Sequence, residues 1–219
     1  MSTDLKSKKI LMTWGGWDGH SPEACTNLVA SWLKEEGADV EIFNNLTVYE
    51  DHDKIATYDL LIPNHTMDTL PGPSWKGINK AVKAGTGFGG WHGGTGDAFR
   101  GHVEFQEMVG GQFLCHPGGI IDYDVEIVSE DPIVAGIKKI SVNSEQYYML
   151  VDPRNEVLAQ SVFSAEHRPE VGGVVMPTIW KKSWEKGRVF YSAIGHAPSD
   201  LEAPDVKEIT LRGLRWACR

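Results

Sequence analysis

Hydrophobic and polar positions along the chain follow two regimes, one in each half. In the first half, strand-length apolar runs alternate with stretches whose apolar residues recur at helical spacing. Residues Lys9 to Trp14 form a buried strand, followed by a glycine-rich loop from Gly15 to His20. Ser21 suits an N-cap and Pro22 a first helical position. The helix they open carries Cys25, Leu28, Val29, Trp32 and Leu33 on one face and stops at Gly37. Asp39 to Phe43 is a second strand. A helical turn near residues 51–57 leads into a third, Tyr58 to Pro63, which ends at Asn64-His65-Thr66. Ser74 is placed to cap a helix that buries Trp75, Ile78 and Val82 before Gly85. Thr86 to Trp91 is the fourth strand and runs straight into His92; a further helix passes through Val103, Phe105, Met108 and Val109. This order implies a mostly parallel, doubly wound α/β sheet with right-handed crossovers and helices on both faces.

The second half shortens its period. Tyr123 to Val128, Lys138 to Val142, Gln146 to Leu150, Glu156 to Ser161 and Val174 to Trp180 alternate in strand fashion between turn signals. They are expected to form a hairpin-rich antiparallel extension of the main sheet. Arg188 to Ile194 returns as a buried strand ending at Gly195-His196, and Val206 to Trp216 closes the chain as a helix. No repeat, low-complexity tract or long linker divides the chain, so residues 1–219 are expected to form a single domain.

Composition narrows the partners. With 219 residues and 41% hydrophobic content, the chain can fill a sizeable core. A net charge of −9, with no basic run interleaved with aromatics, argues against nucleic acid. No apolar stretch approaches the ~18–20 residues of a membrane helix. The N-terminus is polar up to Ile10 and shows no secretory signal. Three cysteines without motif spacing fit a reducing compartment. A cytoplasmic protein is expected.

Ligands of open parallel sheets bind beyond the carboxyl ends of the strands. His20, His65, His92 and His196 each follow a predicted strand, and His116 follows the helix after the fourth. Gly90-Trp91-His92-Gly93-Gly94 has the spacing of a nucleophile elbow, in which small neighbours let the central residue adopt a strained, exposed conformation. Gly89 to Gly94, Val109 to Phe113 with His116-Pro117, Glu145 to Tyr147, and Gly187 to His196, in that order, resemble the ThuA (trehalose utilisation) family over nearly the whole chain. The resemblance implies a flavodoxin-like fold shared with class I glutamine amidotransferases. Those relatives place a cysteine on the elbow and a histidine and glutamate near the last strand. Here the elbow carries His92, and the glutamate expected two residues after His196 is absent. Glutamine hydrolysis by that triad is therefore not expected.

What remains is histidine chemistry. His92 and His196 are candidate acid–base groups, with Glu145 as an orienting or proton-accepting carboxylate. A divalent metal such as Zn²⁺ is a candidate cofactor, with His20, His65, His92, His116 and His196 as its candidate ligands, although no local metal motif is present. Trp17, Asp18, Trp91, Gly93 and Tyr147 are candidate ligand-binding residues, since tryptophan faces suit sugar C–H surfaces. Cys115 is expected to be a buried structural thiol rather than a nucleophile, and Arg100 either contacts the ligand or lies on the surface. Together with the resemblance, this set implies a sugar-metabolism enzyme acting on a disaccharide, a keto-sugar or a related polyol. The alternative is a non-catalytic carbohydrate-binding or regulatory protein on the same scaffold. The expected partner is a small-molecule carbohydrate, with no nucleic acid or membrane, and assembly as a homo-oligomer is left open.

Overall fold

Alternation along the first strand sets up both layers of the protein. In the computed structural model, which describes residues 4–219, β1 (Lys9–Gly16) sends Ile10 and Met12 to one face of the sheet and Leu11 to the other. On the first face these side chains meet α1 (Pro22–Glu35) and α7 (Pro204–Ala217), through Val29, Leu33, Ile209 and Leu214. On the second they meet α3 (Gly72–Ala84) and α5 (Val103–Val109), through Ile78, Val82, Phe105 and Met108. Leu60, Leu61 and Ile62 of β3 (Leu60–Thr66) divide between the two cores in the same way.

Five strands form the parallel half, in the order β2 (Asp39–Phe43), β1, β3, β4 (Gly87–Trp91) and β11 (Gly187–Ser192). That is the flavodoxin-like order. Beyond β11 the sheet turns antiparallel, through β10 (Val175–Trp184), β9 (Glu156–Val162), β6 (Ile120–Ile127) and β7 (Lys139–Glu145). The sheet thus has nine strands, with the expected extension attached to one side. Three short helices complete the frame: α2 (His52–Ile55), α4 (His92–Gly96) and α6 (Pro198–Glu202). Among the described residues, no helix is long and apolar enough to cross a membrane.

Several local expectations are corrected. Gln146 to Leu150 does not join the main sheet. Its strand, β8 (Tyr148–Val151), pairs antiparallel with β5 (Gly111–Cys115), a strand not anticipated, in a separate two-stranded ribbon. Ser21 precedes α1 but its side chain caps nothing. A tight turn closed by its N–H donating to the Asp18 carbonyl puts it in the left-handed region, at φ +46°. Ser74 is likewise no cap. The helix starts two residues earlier, after Pro71, and the buried Ser74 hydroxyl donates to Glu50.

The ribbon is fastened to the sheet by a buried ion pair. Lys182 of β10 is only 2% exposed, and its Nζ donates to Asp152 Oδ2 and to the Glu107 carbonyl, both at 2.7 Å. Arg154 also grips Asp152. The Asp152 carboxyl is held well below the usual carboxylate range, first by Arg154, against partial burial, and then by Lys182. Replacing Asp152 by asparagine strands the buried ammonium and is expected to cost about 3 kcal/mol in chemical denaturation. Because the folded-state pKa is depressed, the wild-type advantage is full above the unfolded value of 3.8. It should fade as pH falls towards the folded value.

Candidate functional site

The turn after β4 has the elbow geometry that its glycines suggest. His92 begins α4 at φ +43°, a left-handed conformation that a non-glycine residue holds only under constraint. Its neighbours are packed too closely for side chains. A Cβ on Gly93 would fall on the His20 ring and lie 2.8 Å from the Tyr147 hydroxyl, and one on Gly94 would fall on the Asn64 amide. Asn64 cannot easily yield, because its Nδ2 donates to the Pro22 carbonyl and to Thr26 Oγ1.

Around this turn the fold brings together three histidines and one carboxylate. His20 comes from the turn after β1, His92 from the end of β4 and His196 from just beyond β11, so all three lie at carboxyl ends of parallel strands. Glu145 arrives from the end of β7, at the far edge of the sheet. Its Oε2 is 3.1 Å from His92 Nε2, 3.4 Å from His196 Nδ1 and 3.5 Å from His20 Nε2. One donor atom from each of the four residues lies within 4.8 Å of all the others. His20, His92 and Glu145 are buried, and His196 is half-buried.

Hydrogen bonds behind the cluster fix which ring atoms face it. His92 Nδ1 is 2.8 Å from the Ala193 carbonyl, which can only accept, so Nδ1 carries the hydrogen and Nε2 presents a lone pair. His20 Nδ1 is held by Thr66 Oγ1 at 2.9 Å, leaving its Nε2 for the cluster. Burial pushes the His92 imidazole down to about 4, so the ring is neutral at physiological pH. Burial also opposes the charge on Glu145, but the histidines, His20 first, outweigh it and hold the carboxyl well below the usual range. The Glu145 carboxylate and His92 Nε2 stand 3.1 Å apart, a contact that a shared proton or a shared cation would bridge. His196 Nδ1 is buried without a hydrogen-bond partner. Such a set is satisfied by a shared cation. The spacings from Glu145 resemble the roughly 3.3 Å between donors about 2.0–2.1 Å from a tetrahedral zinc.

The other candidates separate. His65 does not reach the cluster: Nδ1 pairs with Asp68 at 2.8 Å and Nε2 with Thr13 Oγ1 at 3.0 Å, so both ring nitrogens are occupied. His116 stands apart from the other three, its side chain 39% exposed, with Nε2 3.6 Å from Glu145 Oε1, the oxygen the other histidines do not use. Trp91 is 2% exposed and packs in the α1–α7 core. Trp17 is 47% exposed and meets the His20 ring edge-on at 4.8 Å, and Asp18 is exposed beside it. Tyr147 stacks on His92 with ring centres 4.1 Å apart and is backed by Phe113. Cys115, expected to be buried, is half-buried, and its sulfur accepts from Arg168 Nη1 at 3.2 Å. Arg100 forms a two-pronged pair with Asp97 at 2.6 and 2.8 Å.

Sequence reasoning missed Asp200, in the first turn of α6. Its Oδ2 accepts from the His196 backbone N–H at 3.1 Å and from Ser144 Oγ at 2.5 Å. One carboxylate oxygen thus ties the His196 loop to the residue before Glu145. The only sequence signal was an acidic residue four positions after His196.

A sequence model of the ThuA family, described as trehalose utilisation, matches residues 9–217. Similar solved structures include ThuA-like proteins from Parabacteroides merdae and Bacteroides uniformis. The first has a TM-score of 0.79 at 17% identity and covers 97% of this chain and 90% of that one. The second has a TM-score of 0.79 at 18% identity and covers 99% and 93%. A cytoplasmic protein of Salmonella typhimurium is also similar, at TM-score 0.67 and 14% identity, covering 96% of this chain and all of that one. No curated protein sequence matches the chain.

Because the Asn64 amide is anchored by two hydrogen bonds from its Nδ2, Gly94→Ala should overpack the elbow. The expected loss is about 2–3 kcal/mol in chemical denaturation, and an unchanged midpoint would show that the turn has slack.

Proposed function

This chain belongs to the ThuA family, and on that footing we propose that His20, His92, His196 and Glu145 hold one divalent ion, such as Zn²⁺, at the centre of a sugar-processing enzyme. The family description, trehalose utilisation, points to sugar metabolism. The substrate class is a disaccharide, a keto-sugar or a related polyol. The convergence of four metal-competent donor atoms within 4.8 Å carries the reading. Three imidazole nitrogens and one carboxylate oxygen suit zinc, and the hydrogen bonds that His92 and His20 make with the Ala193 carbonyl and Thr66 Oγ1 supply the outer support that metal-binding histidines ordinarily have.

When bound, such an ion would polarise a sugar carbonyl or hydroxyl oxygen. The protein's own residues divide the remaining work. His116, half-exposed and next to the outer oxygen of Glu145, is placed to take or return a proton at the substrate. Tyr147 fixes the plane of the His92 ring. Trp17 offers an exposed aromatic surface at the mouth for the C–H face of a sugar. A cytoplasmic location belongs to the same reading, supported by three cysteines without motif spacing.

Elemental analysis of the purified protein tests this directly. About one equivalent of metal is expected, lost in His92→Ala and His196→Ala variants whose circular dichroism is unchanged. Turnover across a panel of disaccharides and keto-sugars should fall to background in both. Metal retained by His92→Ala would sink the metal site; no turnover by the loaded wild type on any sugar would favour the carbohydrate-binding alternative. Asp200→Ala leaves all four ligands in place but frees the His196 loop. It should weaken metal affinity by about 10–100-fold in chelator competition.

A further inference from the structure

Alternation along β10 sends Trp180 into the core beneath α3 and α5, and therefore turns Lys181 towards α7 on the opposite face. There a cavity of about 350 Å³ opens, at the lower end of the range for small-molecule sites. The last turns of α7 supply Arg212, Arg215 and Trp216, and the turn Pro132–Val134, with Asp131 before it, closes the other side. The rise of α7 from Pro204 to Trp216, about 18 Å, separates this cavity from the Asp200 turn beside His196. None of the histidines lines it.

In a chain of net charge −9, Lys181, Arg212 and Arg215 line this cavity against the carboxylate of Asp131. Asp131 is already occupied: Oδ1 accepts from the Ile133 N–H at 2.9 Å and Oδ2 from Lys181 Nζ at 2.6 Å. The arginines are only partly engaged. Arg212 gives Nε to Glu208 and Nη1 to the Ala135 and Ile133 carbonyls, while Arg215 gives Nε and Nη2 to Glu36. Arg212 Nη2 and Arg215 Nη1 have no partner among the described residues, so each guanidinium keeps a free donor group. Three residues apart, the two share one face of α7, with Cβ atoms about 5–6 Å from each other. Guanidinium groups so spaced can close on one oxyanion, which their fork of donors matches. Three full positive charges outweigh the roughly half negative charge at the carboxyl end of α7. Pro132 and Trp216 add an apolar wall, and Lys181 Nζ lies over the Trp216 ring, 5.0 Å from its centre.

We infer that this cavity is a second binding site and that it takes a small organic anion. A phosphate or carboxylate group lies between Arg212 and Arg215, opposite Lys181, and an apolar body rests on Pro132, Ile133 and Trp216. The site is separate from the histidine cluster and holds whatever that cluster does.

The test titrates the full-length protein with phenyl phosphate, benzoate, inorganic phosphate and benzyl alcohol, followed by calorimetry and by backbone amide shifts. Phenyl phosphate or benzoate should bind about tenfold or more tightly than benzyl alcohol, as one charge-assisted hydrogen bond implies. The tighter of the two identifies the headgroup. Either should shift the amides of Ile133, Lys181 and Trp216. Arg212→Gln and Arg215→Gln, with circular dichroism unchanged, should each weaken binding about tenfold. Pro132→Trp fills the cavity without changing its charge and should abolish binding. His92→Ala should leave the affinity and the shifts as they are, which separates this site from an anion held at the histidine cluster. The inference is overturned if benzyl alcohol binds as tightly as both anions, or if inorganic phosphate matches phenyl phosphate and benzoate. It is also overturned if the three amides stay still, or if binding survives Pro132→Trp and both arginine variants but not His92→Ala.

Discussion

A buried carboxylate and a buried imidazole nitrogen held 3.1 Å apart form an arrangement that costs free energy unless a proton or a cation is shared between them. Much of the second half of the chain can be understood as the means of imposing it. Glu145 belongs to β7, the strand farthest from β2 in the sheet order, yet its carboxylate ends among histidines from β1, β4 and β11. The β6–β7 hairpin carries it there, Tyr123 donates to its backbone carbonyl, and Asp200 holds the preceding residue.

The turn after β4 joins an elbow geometry to a residue that is not a usual acyl nucleophile. The elbow is intact, with His92 at φ +43° and a helix starting at once. Its central residue is an imidazole locked by the Ala193 carbonyl, a tautomer suited to ligation rather than to acyl transfer. Glycine at 93 serves the same end, since that is where His20 and Tyr147 close in. Fold and site chemistry are separable.

The parallel half was legible because apolar strands and amphipathic helices alternate cleanly from Lys9 to Val109, and its carboxyl-end rule located His20, His92 and His196 in advance. The same rule could not tell His65 from His20, since both follow a buried run. The difference is that β3 continues through Thr66, so His65 stays within the sheet and bonds Thr13 and Asp68. Asp200 was invisible for another reason: its partner Ser144 lies 56 residues away. Glu145 was named from a resemblance, because nothing local in a strand sequence indicates that its last residue crosses to another layer. Ser21 and Ser74 show that a good capping residue is overridden when a neighbouring turn or proline fixes where the helix begins.

The path of Glu145 has a mechanical consequence. The cluster draws three donors from the parallel half and one from the last strand of the antiparallel half, so whatever occupies it clasps the two together. Occupancy and the integrity of the β6–β7 edge are then linked quantities. A ligand that binds only the closed arrangement stabilises that edge by mass action, and an edge that frays releases the ligand. The site is in this sense a fastener of the fold as well as a place on it.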